Sequence, residues 1–175
     1  YQWYKSGQTI AGVQGDGVLL LVERDGSLLA AQDERDAAAF QAASTMIDSE
    51  DSQIRSLAAS ATASVGADAS TAQQAEAARD AVFRWITRKG LATAFASAPE
   101  TVRARAGDCS EHGVLLAAVL RAQGIPARVA SGLVWMDPIE SFGWHMWTQA
   151  LIDGAWVDLD ATLPVPFTVG HILVA

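Results

Sequence analysis

Apolar residues recur along this chain with two periods, and the change from one to the other divides it. From Ile47 onward the spacing is helical. Ile47, Ile54, Leu57 and Ala58 form a modest stripe, and a helix start is expected around Ser49, with Glu50 and Asp51 favourable at its positive end. The stretch Ala58 to Ala72 is rich in Ala, Ser and Thr around Gly66 and reads as a helix end followed by a mobile loop. Ala75, Ala78, Val82, Trp85 and Ile86 then predict a second amphipathic helix. Ser70 or Thr71 caps it, Gln73 or Gln74 completes the box, and Gly90 ends it. Pro99 suits the first turn of a short helix that finishes by Gly107.

The helix after residue 109 is the clearest element. Val114, Leu115, Ala118, Val119 and Ala122 stand three and four apart, with Leu116 and Leu120 widening the stripe, as expected for a central helix. Gly124 and Pro126 stop it. Beyond that the period falls to that of strands: Ala127 to Trp135, His145 to Ile152 and Trp156 to Asp160, the last two joined by Asp153-Gly154. Near the start, Val18 to Glu23 and Ser27 to Ala31 flank Asp25-Gly26 and predict a hairpin, with Gln2 to Tyr4 a candidate third strand. Asp33 to Ala43 fits a short helix or a strand, and its pattern does not decide. The fold class expected is α+β, with N-terminal helices and a buried helix packed on an antiparallel sheet. Residues 1–45 form a small accessory segment, a hairpin packed on the core, and residues 46–175 form the main domain.

Composition bounds the function. The chain has 175 residues, 50% hydrophobic and 18% charged, enough for one real core. Its formal net charge is −8, and its lysines are Lys5 and Lys89. Nucleic acid and anionic membranes are therefore poor partners, since phosphate-binding surfaces need clustered Lys and Arg. The apolar runs are too short to span a bilayer. A chain opening on Tyr1 reads as an excised or processed piece, and the alanine-rich, lysine-poor composition gives a mild preference for export from a bacterium. One cysteine excludes an intramolecular disulfide and a multi-cysteine zinc site.

That cysteine, Cys109, opens the clearest helix, where free backbone N–H groups and the helix dipole favour a thiolate. Downstream lie a histidine and a carboxylate on strands. If Asp153-Gly154 is a two-residue turn, Ile152 faces Ala155, Trp147 faces Asp160, and His145 faces Thr162. His145 and Asp160 are then diagonal neighbours on one sheet face, roughly 7–8 Å apart at the backbone. A three-residue turn would separate them. Asp158 shares the face but lies one pair further off, which makes Asp160 the better orienter of His145. A thiol, an imidazole and a carboxylate are the parts of an activated sulfur nucleophile, and the N–H of Cys109 is the expected oxyanion donor.

These residues resemble the transglutaminase-like superfamily, especially its bacterial members. The resemblance runs from about Ala75 onward, through Gly107-Asp108-Cys109-Ser110-Glu111-His112, Gly124-Ile125-Pro126-Ala127-Arg128, Trp144-His145-Met146-Trp147-Thr148 and Trp156-Val157-Asp158-Leu159-Asp160-Ala161-Thr162. It implies a papain-like core and a catalytic triad of Cys109, His145 and Asp160 performing acyl transfer from an amide through a thioester. The family holds cross-linkers, peptidases, amidases and inactive members. Residues 1 to about 45 show no such likeness. In some members a Trp before the nucleophile aids the oxyanion; no local motif around Trp85 matches.

Other residues are weighed against plainer roles. Trp135, Trp144, Trp147 and Trp156 crowd the hairpin region; core packing suits at least two, while Trp144, beside the base, is the candidate for lining a substrate cleft. Asp108 helps cap the helix, and His112 is expected to support the site structurally. His171 reads as incidental. The expected substrate is a peptide or protein and no cofactor or metal is needed; hydrolysis is preferred over cross-linking. Two alternatives remain: an inactive peptide-binding or scaffolding module, and a zinc hydrolase using Cys109, His112, His145 and Asp160.

Overall fold

A computed structural model describes residues 8–15, 17–22, 34–66, 68–90, 95–164, 167 and 170–174. Strands β1 (Gln8–Gln14) and β2 (Gly17–Val22) form an antiparallel hairpin with a register shift between Ile10 and Gly12. The apolar run beginning at Val18 therefore pairs with the segment before it. Its expected partner Ser27 to Ala31, the Asp25-Gly26 turn and Gln2 to Tyr4 lie outside the described residues. The undecided stretch is helical, as α1 (Glu34–Gln41). Its end is tied to the main body: Phe40 meets Trp156 edge to face at 5.3 Å, and Gln41 Nε2 donates to the Arg121 carbonyl at 2.7 Å.

Helix α2 (Ser52–Val65) begins one cap later than expected and runs further. Asp51, not Ser49, accepts the N–H groups of Gln53 and Ile54. The helix continues through the Ala/Ser/Thr stretch because Ile54, Leu57, Ala58 and Ala61 share one buried stripe, and small residues on the other positions cost little helix propensity. Gly66, at φ +89°, ends it. Helix α3 (Thr71–Trp85) carries the Ser70/Gln73 capping box and stops five residues before Gly90. The reason is that Ile86 turns extended (ψ 100°) and is buried, and the chain then pairs as β3 (Arg88–Lys89) with β4 (Ala106–Gly107) in parallel. Helix α4 (Ala98–Ala104) lies between them, capped reciprocally by Ser97 and Glu100.

Helix α5 (Cys109–Ala122) is central. Every residue from Ser110 to Arg121 is buried, against α2, α3 and α4 on one side and the sheet on the other. At its end the Arg121 guanidinium is satisfied by the carbonyls of Ala127, at 3.0 and 2.8 Å, and Ala42, at 2.6 Å. The sheet contains β5 (Ala127–Met136), β6 (Ser141–Ile152), β7 (Ala155–Leu159) and β8 (His171–Leu173), all antiparallel, in the order β7-β6-β5-β8.

The strand period splits the sheet into two faces. Ala127, Ala150, Ile152 and Leu159 belong to the main core with α5, and Thr148 Oγ1 donates to the Gly113 carbonyl there at 3.0 Å. The opposite face carries Ala130, Trp147 and Leu173, with Phe167 packed on them. By register His145 and His171 also belong to this second face.

Because α5 is enclosed on every side, Leu116→Ala should cost about 2–5 kcal/mol through lost transfer energy and a residual cavity. Urea unfolding would show this as a lower midpoint at unchanged slope, and a loss within error of zero would mean that the helix is not the core.

Candidate active site

Cys109 is the first residue of α5 and is half-buried. A helix start inside a protein leaves N–H groups that water cannot reach, and each needs a partner. Asp108 Oδ1 accepts the N–H and Oγ of Ser110 at 2.8 and 2.7 Å. Glu111, wholly buried, reaches back with Oε2 to the Asp108 N–H at 2.9 Å and with Oε1 to the Ala96 N–H at 2.9 Å. Gly107 makes room for this carboxylate: a Cβ there would sit 2.2 Å from the Glu111 Cβ. The parallel β3–β4 pair holds the same glycine from the other side.

The β6–β7 turn is the expected two-residue one, with both Asp153 (φ +50°) and Gly154 (φ +80°) left-handed. Ile152 faces Ala155 and the ladder runs out to Thr148 opposite Leu159. It ends there. Asp160 turns away and accepts the Thr162 N–H with Oδ1 at 2.7 Å, so the anticipated pairs Trp147–Asp160 and His145–Thr162 do not form in the ladder. The shared face survives: His145 Nε2 lies 2.8 Å from Asp160 Oδ2, both buried. The Cys109 side chain lies near enough to the same ring to bear on its charge. Asp158 is occupied elsewhere, accepting from Trp147 Nε1 and Gln149 Nε2 at 2.8 Å each.

The expectation for His171 is corrected. It is buried on β8, its Nε2 3.3 Å from the same Asp160 Oδ2, with its ring stacked on Phe167 at 3.9 Å. Strand β8 reaches this position because Gly132 has no side chain: a Cβ there would lie 2.0 Å from the Ile172 carbonyl oxygen and 2.9 Å from the Trp147 ring. Sequence reading missed it because a three-residue strand shows no periodicity.

His112 donates through Nδ1 to the Asp108 carbonyl at 2.6 Å, so it braces the cap of α5. Its Nε2 is buried and finds no partner among the described residues. Trp144 is 61% exposed beside His145, with Trp135, Ile139 and Phe142 also exposed on that hairpin. Among the described residues, the group able to hold a metal is His145, Asp160 and His171, whose donor atoms lie within 4.8 Å of one another. The set anticipated for zinc is different, and His112 does not join this group.

Charge and proximity work together here. Burial alone would lower the His145 pKa; its bond to Asp160, the Asp160 charge and the nearby Cys109 outweigh this and raise it to about 9. Burial opposes ionisation of Asp160, yet the His145 and His171 bonds, the His145 charge and the Thr162 N–H hold its carboxyl well below the usual range. Burial lowers the His112 pKa against the bond to Asp108, so this imidazole is neutral near pH 7. The arrangement is an accessible thiol against an imidazole that is charged at neutral pH and backed by an ionised carboxylate.

A curled antiparallel sheet packed on a buried helix that opens on a cysteine defines a papain-like fold of the transglutaminase type. The family model for the transglutaminase-like superfamily matches residues 50–161, more than half of the chain, which belongs to that superfamily. Among solved structures, a candidate cysteine protease from Cytophaga hutchinsonii superimposes with a TM-score of 0.67 at 25% identity, over 82% of this chain and 47% of that one. The periplasmic domain of TgpA from Pseudomonas aeruginosa superimposes with a TM-score of 0.54 at 22% identity, over 75% and 48%. This chain thus spans about half the length of each. No curated protein sequence matches it. The family is one of cysteine-type catalysis.

The raised His145 pKa is also a statement about stability. A group protonated more tightly in the folded state contributes fully below its unfolded pKa of about 6.5 and loses that contribution as pH rises through about 9. Wild type should therefore exceed His145→Gln in unfolding free energy most at pH 6, with the gap shrinking by pH 10. Urea titrations at several pH values check this; a gap that widens with pH would contradict it.

Proposed function

We propose that this chain hydrolyses amide or peptide bonds through a thioester on Cys109, with His145 as general base and acid and Asp160 as its orienter. The observation that carries this reading is the buried bond from His145 Nε2 to Asp160 Oδ2 at 2.8 Å, with the Cys109 side chain near enough to bear on the same imidazole. Nε2 faces Asp160, leaving Nδ1 as the nitrogen that exchanges a proton with sulfur. With the sulfur's proton already held by His145, the thiolate attacks the substrate carbonyl carbon. The oxyanion formed takes a hydrogen bond from the Cys109 N–H at the start of α5. Collapse breaks the C–N bond as the imidazolium protonates the departing amine. Water, deprotonated by His145, then attacks the thioester, and the acid leaves with Cys109 restored.

Trp144, exposed next to the base, lines the approach for a peptide or protein substrate. Hydrolysis is preferred to cross-linking, a reading supported by the candidate cysteine protease among the structural neighbours. Residues 1–45 act as an accessory segment to the catalytic body at 46–175. An exported location fits the composition, and a periplasmic domain is among the neighbours. A binding module without catalysis would have no need of a thiol, an imidazole and a carboxylate kept in bonded sequence.

Iodoacetamide titration tests the nucleophile. Cys109 should alkylate rapidly well below pH 8.5, where ordinary thiols begin to ionise. His145→Ala should return it to the slow, ordinary profile. Equal and ordinary profiles in both proteins would sink the activated thiol and leave the binding-module reading.

The acyl-enzyme should be trapped on Cys109 from peptide or cell extracts and identified by mass spectrometry. On any substrate so identified, His145→Ala should lower kcat/KM by about 10²–10⁴-fold. Activity removed by a chelator and restored by zinc would instead favour the metal hydrolase.

A further inference from the structure

The proposed chemistry needs one partner for Asp160 Oδ2, and the structure supplies two. We propose that His171 is a positioning residue that donates its Nε2–H to Asp160 Oδ2 and holds the carboxylate in the orientation from which it aligns His145. The inference rests on the triad reading above. Both imidazoles aim Nε2 at one carboxylate oxygen, at 2.8 and 3.3 Å. Two bare nitrogen lone pairs facing an ionised oxygen would repel it, so each ring carries its proton on Nε2. Oδ1 is pinned independently by the Thr162 N–H at 2.7 Å. With His171 present, both oxygens are held by groups other than the base. Without it, among the described residues Oδ2 would be held by His145 alone, the side chain that it has to orient.

The surroundings of His171 suit such a fixed donor. The ring is stacked on Phe167 at 3.9 Å and lies edge-on to Trp147 at 5.5 Å, 3% exposed. In the sheet it stands opposite Val134, and its neighbour Leu173 stands opposite Gly132, the residue that also pairs with His145. The sheet register therefore sets the spacing of the two histidines across β5. The charged and titratable groups around Asp160 are His145 from β6, His171 from β8, Lys89 from β3 and His112 from α5. Through this bond to the carboxylate, His171 acts on His145 by way of Asp160.

Two variants separate a donor from a packing group. His171→Phe keeps an aromatic ring on Phe167 without the N–H, and His171→Gln keeps an N–H without the ring. With iodoacetamide as the probe, His171→Phe should alkylate about tenfold more slowly at pH 6, its half-maximal pH moving up by about one unit as the His145 pair loosens. His171→Gln should recover most of both. An unchanged His171→Phe profile would overturn the proposal, as would equal impairment in both variants or a downward shift, which would mark His171 as a repelling charge. In ¹⁵N-histidine NMR of the wild type, His171 should show the Nε2–H tautomer; the Nδ1–H form would overturn the proposal even if His171→Phe failed to fold. Stoichiometric zinc in the purified protein that disappears in His171→Phe would turn the cluster into a metal site and overturn it too. An unactivated Cys109 in wild type would defeat the triad and this role together, whereas an activated one with an indifferent His171→Phe would defeat this role alone.

Discussion

Helix α5 is enclosed along its whole length, and a helix so placed cannot leave its first N–H groups to solvent. An unpaired buried donor costs about 1–3 kcal/mol, a large share of any domain's net stability. Asp108 and Glu111 meet that demand from within the local sequence, and Glu111 extends it to Ala96. The solution imposes further conditions. Glu111 can fold back only where Gly107 has no side chain, and Gly107 is kept in place by its pairing across β3 and β4. His112 then uses its Nδ1 on the Asp108 carbonyl. Cys109 emerges from this cap as a half-buried residue at the positive end of the helix, so the constraint that stabilises the core also presents the thiol.

The sheet answers a different demand. Its α5 face is apolar and close-packed, while the opposite face carries a chain of hydrogen-bonded polar groups. Trp147 and Gln149 both donate to Asp158, and Gln149 Oε1 accepts from Arg128, whose guanidinium lies 4.1 Å over the Trp156 ring. Asp158 is thereby committed to bracing the strands, and Asp160, two residues on, is left for His145. Alternation along β7 places both acids on one face, but only the one beyond the ladder is free to turn toward the base. Gly132 serves this face as Gly107 serves the helix, by admitting a neighbour where a side chain would block it.

Much of this was legible in the chain itself, for identifiable reasons. Helix α5 has an uninterrupted apolar stripe, a capping acid before it and Gly124 after it. Asp153-Gly154 permits the two left-handed residues that fix the β6–β7 register, so the shared face of His145 and Asp160 follows from counting. What escaped was set by contacts distant in sequence. The end of α3 depends on Ile86 turning into the core and on a parallel pairing with residues 106–107. The reach of α2 through its alanines depends on partners in α3 and α5. Strand β8 is three residues long, and its place beside β5 is decided by the bare Gly132, far earlier in the chain than its partner Leu173. His171 was invisible as a site residue for that reason.

The electrostatics of Asp160 tie the fold to the proposed chemistry. A carboxylate this deeply buried would be neutral if left alone, yet donors at both oxygens and the imidazolium of His145 keep it ionised. Asp160 in turn keeps the proton on His145 up to about pH 9. In the proposed reaction, the proton destined for the departing amine is therefore already in place at neutral pH. The same field explains why the site tolerates a buried anion, since imidazolium and carboxylate compensate each other at 2.8 Å. Removing either would leave the other as unpaired charge in a buried place.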